Sequence, residues 1–186
     1  VVGAKTWAVG AQPWALVLQA TSAGFVLEAS GCELWTYDRT LTTQTTRSLC
    51  AQMAVAYPVV VGEGGDVWLA NQLTTRKLNA AGVVQWSNVR TGAFNSVTSL
   101  KVDRAGRVFL TAVDGASHTQ AIQVDANGVL GFTSTVPGNT YLSNTAIDGN
   151  GNFVLAGSMV DGLGGRVVQR GPSDVIVLKN PQLLFQ

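Results

Sequence analysis

Few side chains in this sequence are equipped for chemistry, and their spacing limits what each could do. His118 is the only histidine. A zinc centre draws three or four nitrogen or sulfur ligands, so one histidine and two distant cysteines make no metal set. A hydrolytic triad would have to combine His118 with Asp114 or Asp125 and one of many serines, and no Gly-x-Ser-x-Gly elbow accompanies them. His118 therefore reads as a polar loop residue. Asp148-x-Asn150-x-Asn152 sets oxygen donors at alternating positions, as a calcium loop begins. Such a loop needs Gly at its sixth position and a bidentate carboxylate at its twelfth, and Phe153 and Met159 stand there. The segment reads instead as a turn whose Asp and Asn bond their own backbone. Gly62-Glu63-Gly64-Gly65 and Gly162-Leu163-Gly164-Gly165 lack the helix and lysine of a phosphate cradle. They too read as turns. No catalytic residue, metal or cofactor is expected.

The elements that position these residues follow a repeat. The triplets Phe25-Val26-Leu27, Val67-Trp68-Leu69, Val108-Phe109-Leu110 and Phe153-Val154-Leu155 place their leucines 42, 41 and 45 residues apart. Around Val67-Trp68-Leu69, the stretch from Pro58 to Trp86 reads as four strands joined by turns. Gln123 to Phe132 aligns without a gap on Lys77 to Trp86, each with Gly at the position where a tight hairpin needs positive φ. A period of this size with four strands per repeat is the mark of β-propeller blades. The fold expected is all-β, with no apolar spacing of helical period over three turns.

One domain, 1–186, is divided as an extra strand of a preceding or closing blade (1–11) and four blades: 12–53, 54–95, 96–140 and 141–186. In the first blade the strands are expected at Ala15–Ala20, Phe25–Ala29, Glu33–Tyr37 and roughly Thr43–Leu49. In the fourth, the outer pair is expected at Arg166–Arg170 and Val175–Leu178, followed by an apolar tail. The repeats are complete blades, yet propellers usually carry six to eight. The chain is read as a compact four-bladed ring, half of a dimeric ring, or part of a longer chain, since an incomplete ring leaves open sheet edges. It begins at Val1 without a charged, apolar-cored leader, as a processed product or a cut domain would.

Cys32 and Cys50 are the only cysteines. If the hairpin between them turns at about Leu41, they face each other on neighbouring strands at the separation a disulfide needs. Such a bond would contribute roughly 3 kcal/mol and imply an oxidising compartment; the alternative is two buried thiols that never meet. Trp68 is replaced by Val26, Phe109 and Val154 in the other repeats, an apolar series that suits packing between blades. Trp86 is read as core in the same way. Trp35 and Tyr37, on the outer hairpin of the first blade, are the aromatics expected to be exposed for contact.

Composition narrows the partners. Charged residues are 12% of the 186 and apolar residues 46%, with a net charge of +1. That balance opposes disorder and supplies no field for nucleic acid or anionic lipid. The longest apolar run, Met53 to Val61, contains Pro58 and is too short to span a bilayer, so membrane insertion is not expected. No Asn-x-Ser/Thr acceptor occurs.

The runs Val102-Asp103, Gly106, Val108 and Leu110, then Val124-Asp125, Gly128 and Phe132, resemble bacterial propeller repeats. Ile147-Asp148, Gly151-Asn152, Phe153, Leu155 and Ala156-Gly157-Ser158 fit the same pattern. The chain is most similar to the SBBP-type ("seven-bladed β-propeller") repeats of secreted and surface proteins, and less closely to quinoprotein dehydrogenase blades. The resemblance covers about Tyr57 to Gly157 and implies a secreted or cell-surface location. Its motifs specify turns and core positions rather than function. The function expected is recognition or scaffolding through a protein partner or self-association, with a glycan-binding, lectin-like propeller as the alternative. Loops joining second and third strands, Asn71 to Thr75, Asp114 to Thr119 and Asp161 to Gly165, are the expected contact regions. The candidate contact residues are Trp35, Tyr37, Asn71, Asp114, His118 and Asp161.

Overall fold

A computed structural model describes residues 18–20, 24–29, 33–40, 44–49, 51, 58–90, 94–135, 139–147, 153–160, 167–168, 175–179 and 182–185. These residues are all strand, turn or irregular, without helix. The extra strand expected at 1–11 lies outside them.

Each repeat forms its own antiparallel sheet. The first runs β1 (Leu18–Ala20), β2 (Gly24–Ala29), β3 (Glu33–Asp38) and β4 (Gln44–Ser48), hydrogen-bonded in chain order. The second repeats this meander with β5 (Val59–Val61), β6 (Val67–Ala70), β7 (Thr74–Leu78) and β8 (Val84–Val89). The third contains β9 (Phe94–Val102), β10 (Val108–Asp114), β11 (Thr119–Val124) and β12 (Leu130–Thr135). The fourth comprises β13 (Asn139–Ile147), β14 (Phe153–Val160), β15 (Val167–Val168), β16 (Val175–Lys179) and β17 (Gln182–Phe185). The chain is thus built of β-propeller-type blades. All four triplets stand on the second strand of their sheet, and Leu69, Leu110 and Leu155 are fully buried. Full burial of one such side chain contributes about 1.5–3 kcal/mol, which explains why this position tolerates so little variation between repeats.

Two sequence expectations are corrected. In the outer hairpin of the first sheet, Glu33 pairs with Ser48 and Tyr37 with Gln44. Direct opposition of positions 32 and 50 would need Glu33 opposite Leu49, so the described register runs one residue short: Tyr37 meets Gln44 rather than Thr45, across a connection one residue shorter than a turn at about Leu41 implies. Cys32 and Cys50 themselves lie outside the described residues. In the fourth sheet the outer pair is not 166–170 with 175–178. β15 and β16 both pair with β14, through Met159–Val168 and through Leu155–Ile176, and β17 pairs with β16 as the edge strand. The sequence between them supplies a physical reason: Pro172 has no N–H to give a ladder, which disfavours one unbroken strand through that position. The apolar run Val175 to Leu178 then takes an interior place, and the tail becomes the edge.

The chain divides into two compact units, Val1–Asn71 with Arg76–Gln85 and Gln72–Thr75 with Trp86–Gln186. In the first, Leu34, Leu49, Val59, Val61, Val67, Leu69 and Leu78 form one apolar cluster. In the second, Phe109, Ala121, Phe153 and Leu155 pack together with Phe132 and Ile147 against them. The Phe109 and Phe153 rings meet at 5.3 Å and 39°, within the favoured range for tilted aromatic pairs.

Candidate interaction surface

Among the described residues, five turns share one geometry, and they decide what the polar side chains are free to do. They span residues 62–66, 79–83, 103–107, 114–118 and 125–129. In each, the first N–H donates to the fifth carbonyl and the fourth N–H returns to the first carbonyl, at 2.8 to 3.1 Å. The fourth residue has positive φ: Gly65, Gly82, Gly106, Gly128 and, in the loop between β10 and β11, Ser117 at 65°. A non-glycine residue in that region is uncommon and strained, so the loop carrying His118 departs from its four siblings at one position.

That loop gathers two of the predicted contact residues. Asp114 Oδ1 accepts the backbone N–H of Ala116 and of His118, each at 2.9 Å. Its Oδ2 accepts Gln120 Nε2 at 2.8 Å and lies 3.6 Å from His118 Nδ1. The His118 N–H first, then Gln120, hold the Asp114 carboxyl below the usual carboxylate range. Thr135 Oγ1 donates to Gln120 Oε1 at 2.9 Å, Asn95 Nδ2 donates to Asp114 O at 3.1 Å, and Gln72 Nε2 donates to Asn95 O at 2.7 Å. A polar chain thus runs through Gln72, Asn95, Asp114, Gln120 and Thr135. Sequence reasoning named only Asp114 and its neighbour His118. Gln120, one of two glutamines on the fully buried strand β11, is the available signal, since a buried amide must find partners.

The carboxylate of Asp114 is therefore spent on its own turn, and it is not alone. Asp38 accepts Thr40 N at 2.9 Å, Asp103 accepts Arg107 N at 2.8 Å, and Asp125 accepts Asn127 N and Val129 N at 2.9 and 2.8 Å. Asn79 Oδ1 accepts Val83 N at 2.9 Å. Among the described residues no three His, Cys, Asp or Glu side chains converge as a metal set.

The remaining predicted residues divide. Asn71 is half-buried at the end of β6, and Asp161 lies outside the described residues. Trp35 is half-buried and its Nε1 donates to Glu33 Oε2 at 3.1 Å. Tyr37 is a correction: it is 1% exposed. It sits on β3, an interior strand with a neighbour on each side, where the sequence reading placed it on an open outer hairpin. Trp68 is buried, and a Cβ on Gly62 would lie 2.8 Å from its ring. Lys77 Nζ lies 5.3 Å from its ring centroid and pairs with Asp66 at 2.9 Å.

Trp86 is not core. It is half-buried, and its Nε1 donates to Ala126 O at 3.0 Å, across to the tight turn of the following repeat. Its ring lies over Gly128, where a Cβ would be 2.8 Å away. Asn88 Nδ2 donates to Gly128 O at 2.9 Å. Arg47 on β4 does the same for the turn one repeat later: Nη2 donates to Asn79 O at 2.7 Å and lies 3.4 Å from the Cβ position of Gly82. Burial pushes the Arg47 guanidinium pKa down, with Asp66 opposing. An outer strand grasping the next turn is thus a recurring clasp. Arg90 is buried outright: it bonds Thr75 Oγ1 and Thr74 O and lies 5.5 Å from the Phe94 centroid, and burial lowers its pKa to about 10.

Apolar side chains reach solvent at matching positions. Val83 is 58% and Val84 42% exposed, while Val129 and Leu130, their counterparts 46 residues on, are 61% and 49% exposed. Leu73 and Val89 are exposed as well, and Arg90 N donates to Leu73 O at 2.8 Å.

No family model and no curated protein sequence matches the chain. Solved structures are similar in fold. The N-terminal domain of Nup159 matches at 12% identity over 91% of this chain and 46% of its own, with a TM-score of 0.50. BBS1N in complex with ARL6DN matches at 11% identity over 80% and 48%, with a TM-score of 0.49. The WD40 domain of SCAP from fission yeast matches at 13% identity over 94% and 55%, with a TM-score of 0.44. The chain spans about half the length of these structures.

Proposed function

We propose that this chain is a non-catalytic recognition or scaffold module that works by protein–protein contact, built on blades of the bacterial SBBP type in a secreted or cell-surface protein. One observation carries the reading: an exposed apolar pair at the same position of two consecutive repeats, Val83-Val84 and Val129-Leu130. Single exposed apolar residues are ordinary, but an adjacent pair exposed where an edge strand begins, present in each of two repeats at the same register, gives each repeat its own apolar contact point. The described acidic side chains that sequence reasoning considered for chemistry are engaged by their own turns, which favours presentation of a rigid surface over turnover of a substrate.

The test is light scattering coupled to size exclusion over a range of concentrations, on the wild type and on Val84→Lys/Leu130→Lys. The wild type is expected to associate with itself or retain a co-purifying subunit, and the variant to lose that association with an unchanged melting temperature. A wild type that is monomeric and partner-free throughout, or a variant that associates equally well, overturns the proposal. The oxidising location is tested separately by intact mass without reduction: a Cys32–Cys50 bond makes the chain two hydrogens lighter.

A further inference from the structure

We propose that Asn127–Gly128 is a latched deamidation site, a covalent modification point whose rate is set by the clasp that Trp86 closes over it. Asn-Gly is the sequence at which a backbone amide most readily attacks the preceding side chain, because glycine has no Cβ to obstruct the approach. The sequence holds two such pairs, at 127–128 and 150–151. Asn127 is exposed at the tip of the hairpin between β11 and β12.

The reaction is closed in its balance and needs only water. The Gly128 nitrogen loses its proton to solvent base and bonds to Asn127 Cγ, and the Nδ2 group leaves as ammonia, giving a succinimide. Water then opens either carbonyl, leaving aspartate or isoaspartate at position 127 and one added negative charge. Nothing is oxidised or reduced.

The geometry holds the first step back. The Gly128 N–H donates to Asp125 O at 3.1 Å, so the nucleophile is engaged away from Asn127. The Asn127 N–H is fixed on Asp125 Oδ1 at 2.9 Å. Over this turn lie the Trp86 ring and the Asn88 amide, which bonds Gly128 O at 2.9 Å. Attack requires Gly128 to rotate, and rotation requires the clasp to open. The corresponding turn one repeat earlier, Asn79-Ala80-Ala81-Gly82, separates its Asn from its Gly and has no such chemistry. Isoaspartate would insert a methylene into the backbone of the very turn that Trp86 grips, so one modification loosens the contact irreversibly.

The experiment is incubation of the folded chain at pH 8.5 and 37 °C with peptide mapping of position 127, for wild type, Trp86→Ala, Asn88→Ala and urea-unfolded chain. Circular dichroism confirms that each variant stays folded; if Trp86→Ala does not, Asn88→Ala, which removes one bond and little packing, carries the comparison. Deamidation at 127 is expected at least roughly tenfold slower in the folded wild type than in urea, and several-fold faster in a folded clasp variant than in the wild type. Position 150 serves as an internal reference and is expected not to respond to either substitution. Equal rates at 127 in the wild type and the folded variants, or equal rates folded and unfolded, overturn the proposal.

Discussion

Replacing Gly128 with alanine tests the clasp directly. At φ +86° an L-residue meets its own backbone, a cost of roughly 1–2 kcal/mol. The added Cβ would also stand 2.8 Å from Trp86 Cδ2, 2.9 Å from Cγ and 3.0 Å from Cε3. The indole cannot retreat without stretching its bond to Ala126 O at 3.0 Å, worth about 1 kcal/mol, so an overpacking cost of about 1–3 kcal/mol follows. Gly128→Ala should therefore lose roughly 3 kcal/mol in all. Gly106→Ala is the matched control. Its φ is +80° and its nearest neighbour is the Ala126 Cβ at 3.6 Å, so only the backbone cost of roughly 1–2 kcal/mol applies. Urea unfolding with unchanged slope measures both. In a Trp86→Ala background the excess cost at 128 should vanish, giving a coupling above about 1 kcal/mol in a double-mutant cycle. Equal losses at 106 and 128, or a coupling near zero, would refute a steric clasp.

Ser117→Gly should stabilise the chain by roughly 0.5–1 kcal/mol, the left-handed strain relieved less the extra unfolded-state freedom of glycine, seen as a higher urea midpoint. Asp114 has a depressed folded pKa, so its contribution is present above the unfolded carboxylate value and lost as pH falls through the lower folded one. Urea midpoints of the wild type should decline below about pH 4, and Asp114→Asn should show a shallower decline over that same range. Leu110→Ala, at a fully buried anchor, should cost about 2–5 kcal/mol. Leu130→Ala, at 49% exposure, should stay within about 0.5 kcal/mol; thermal unfolding of the pair separates core from surface.

What could be read in the sequence was what repeats. The anchor leucines and the Gly-containing turns recur because every blade meets the same two demands, an apolar second strand and a backbone able to reverse in five residues. The sequence does not show which of Trp86 and Tyr37 is covered, for a common reason. Aromatic rings carry no periodic signal of their own, and their burial depends on which neighbour covers them. Tyr37 lies on an interior strand and is covered, whereas Trp86 lies on an outer strand and reaches forward. Its aligned counterpart Phe132 packs against the Phe109 and Phe153 cluster, so even alignment within the chain did not reveal the difference. The chain of bonds from Gln72 to Thr135 joins residues more than sixty positions apart and depends on loops meeting in space. The hairpin register slipped by one because a turn's length is fixed by its hydrogen bonds, not by the alternation of the strands it joins.

The clasps give the order of repeats a direction. A hand on one outer strand, Arg47 or Trp86, closes on a turn that belongs to the next repeat. A repeat duplicated or transplanted as a cassette therefore brings a hand cut for its old successor and a turn shaped for its old predecessor. Arginine reaches a carbonyl past Gly82, and tryptophan lies flat on Gly128. Exchanging the two turns without exchanging the two hands would leave a guanidinium where a ring belongs. Within this chain, each hand and the turn it closes on are therefore a matched pair that must be moved or retuned together.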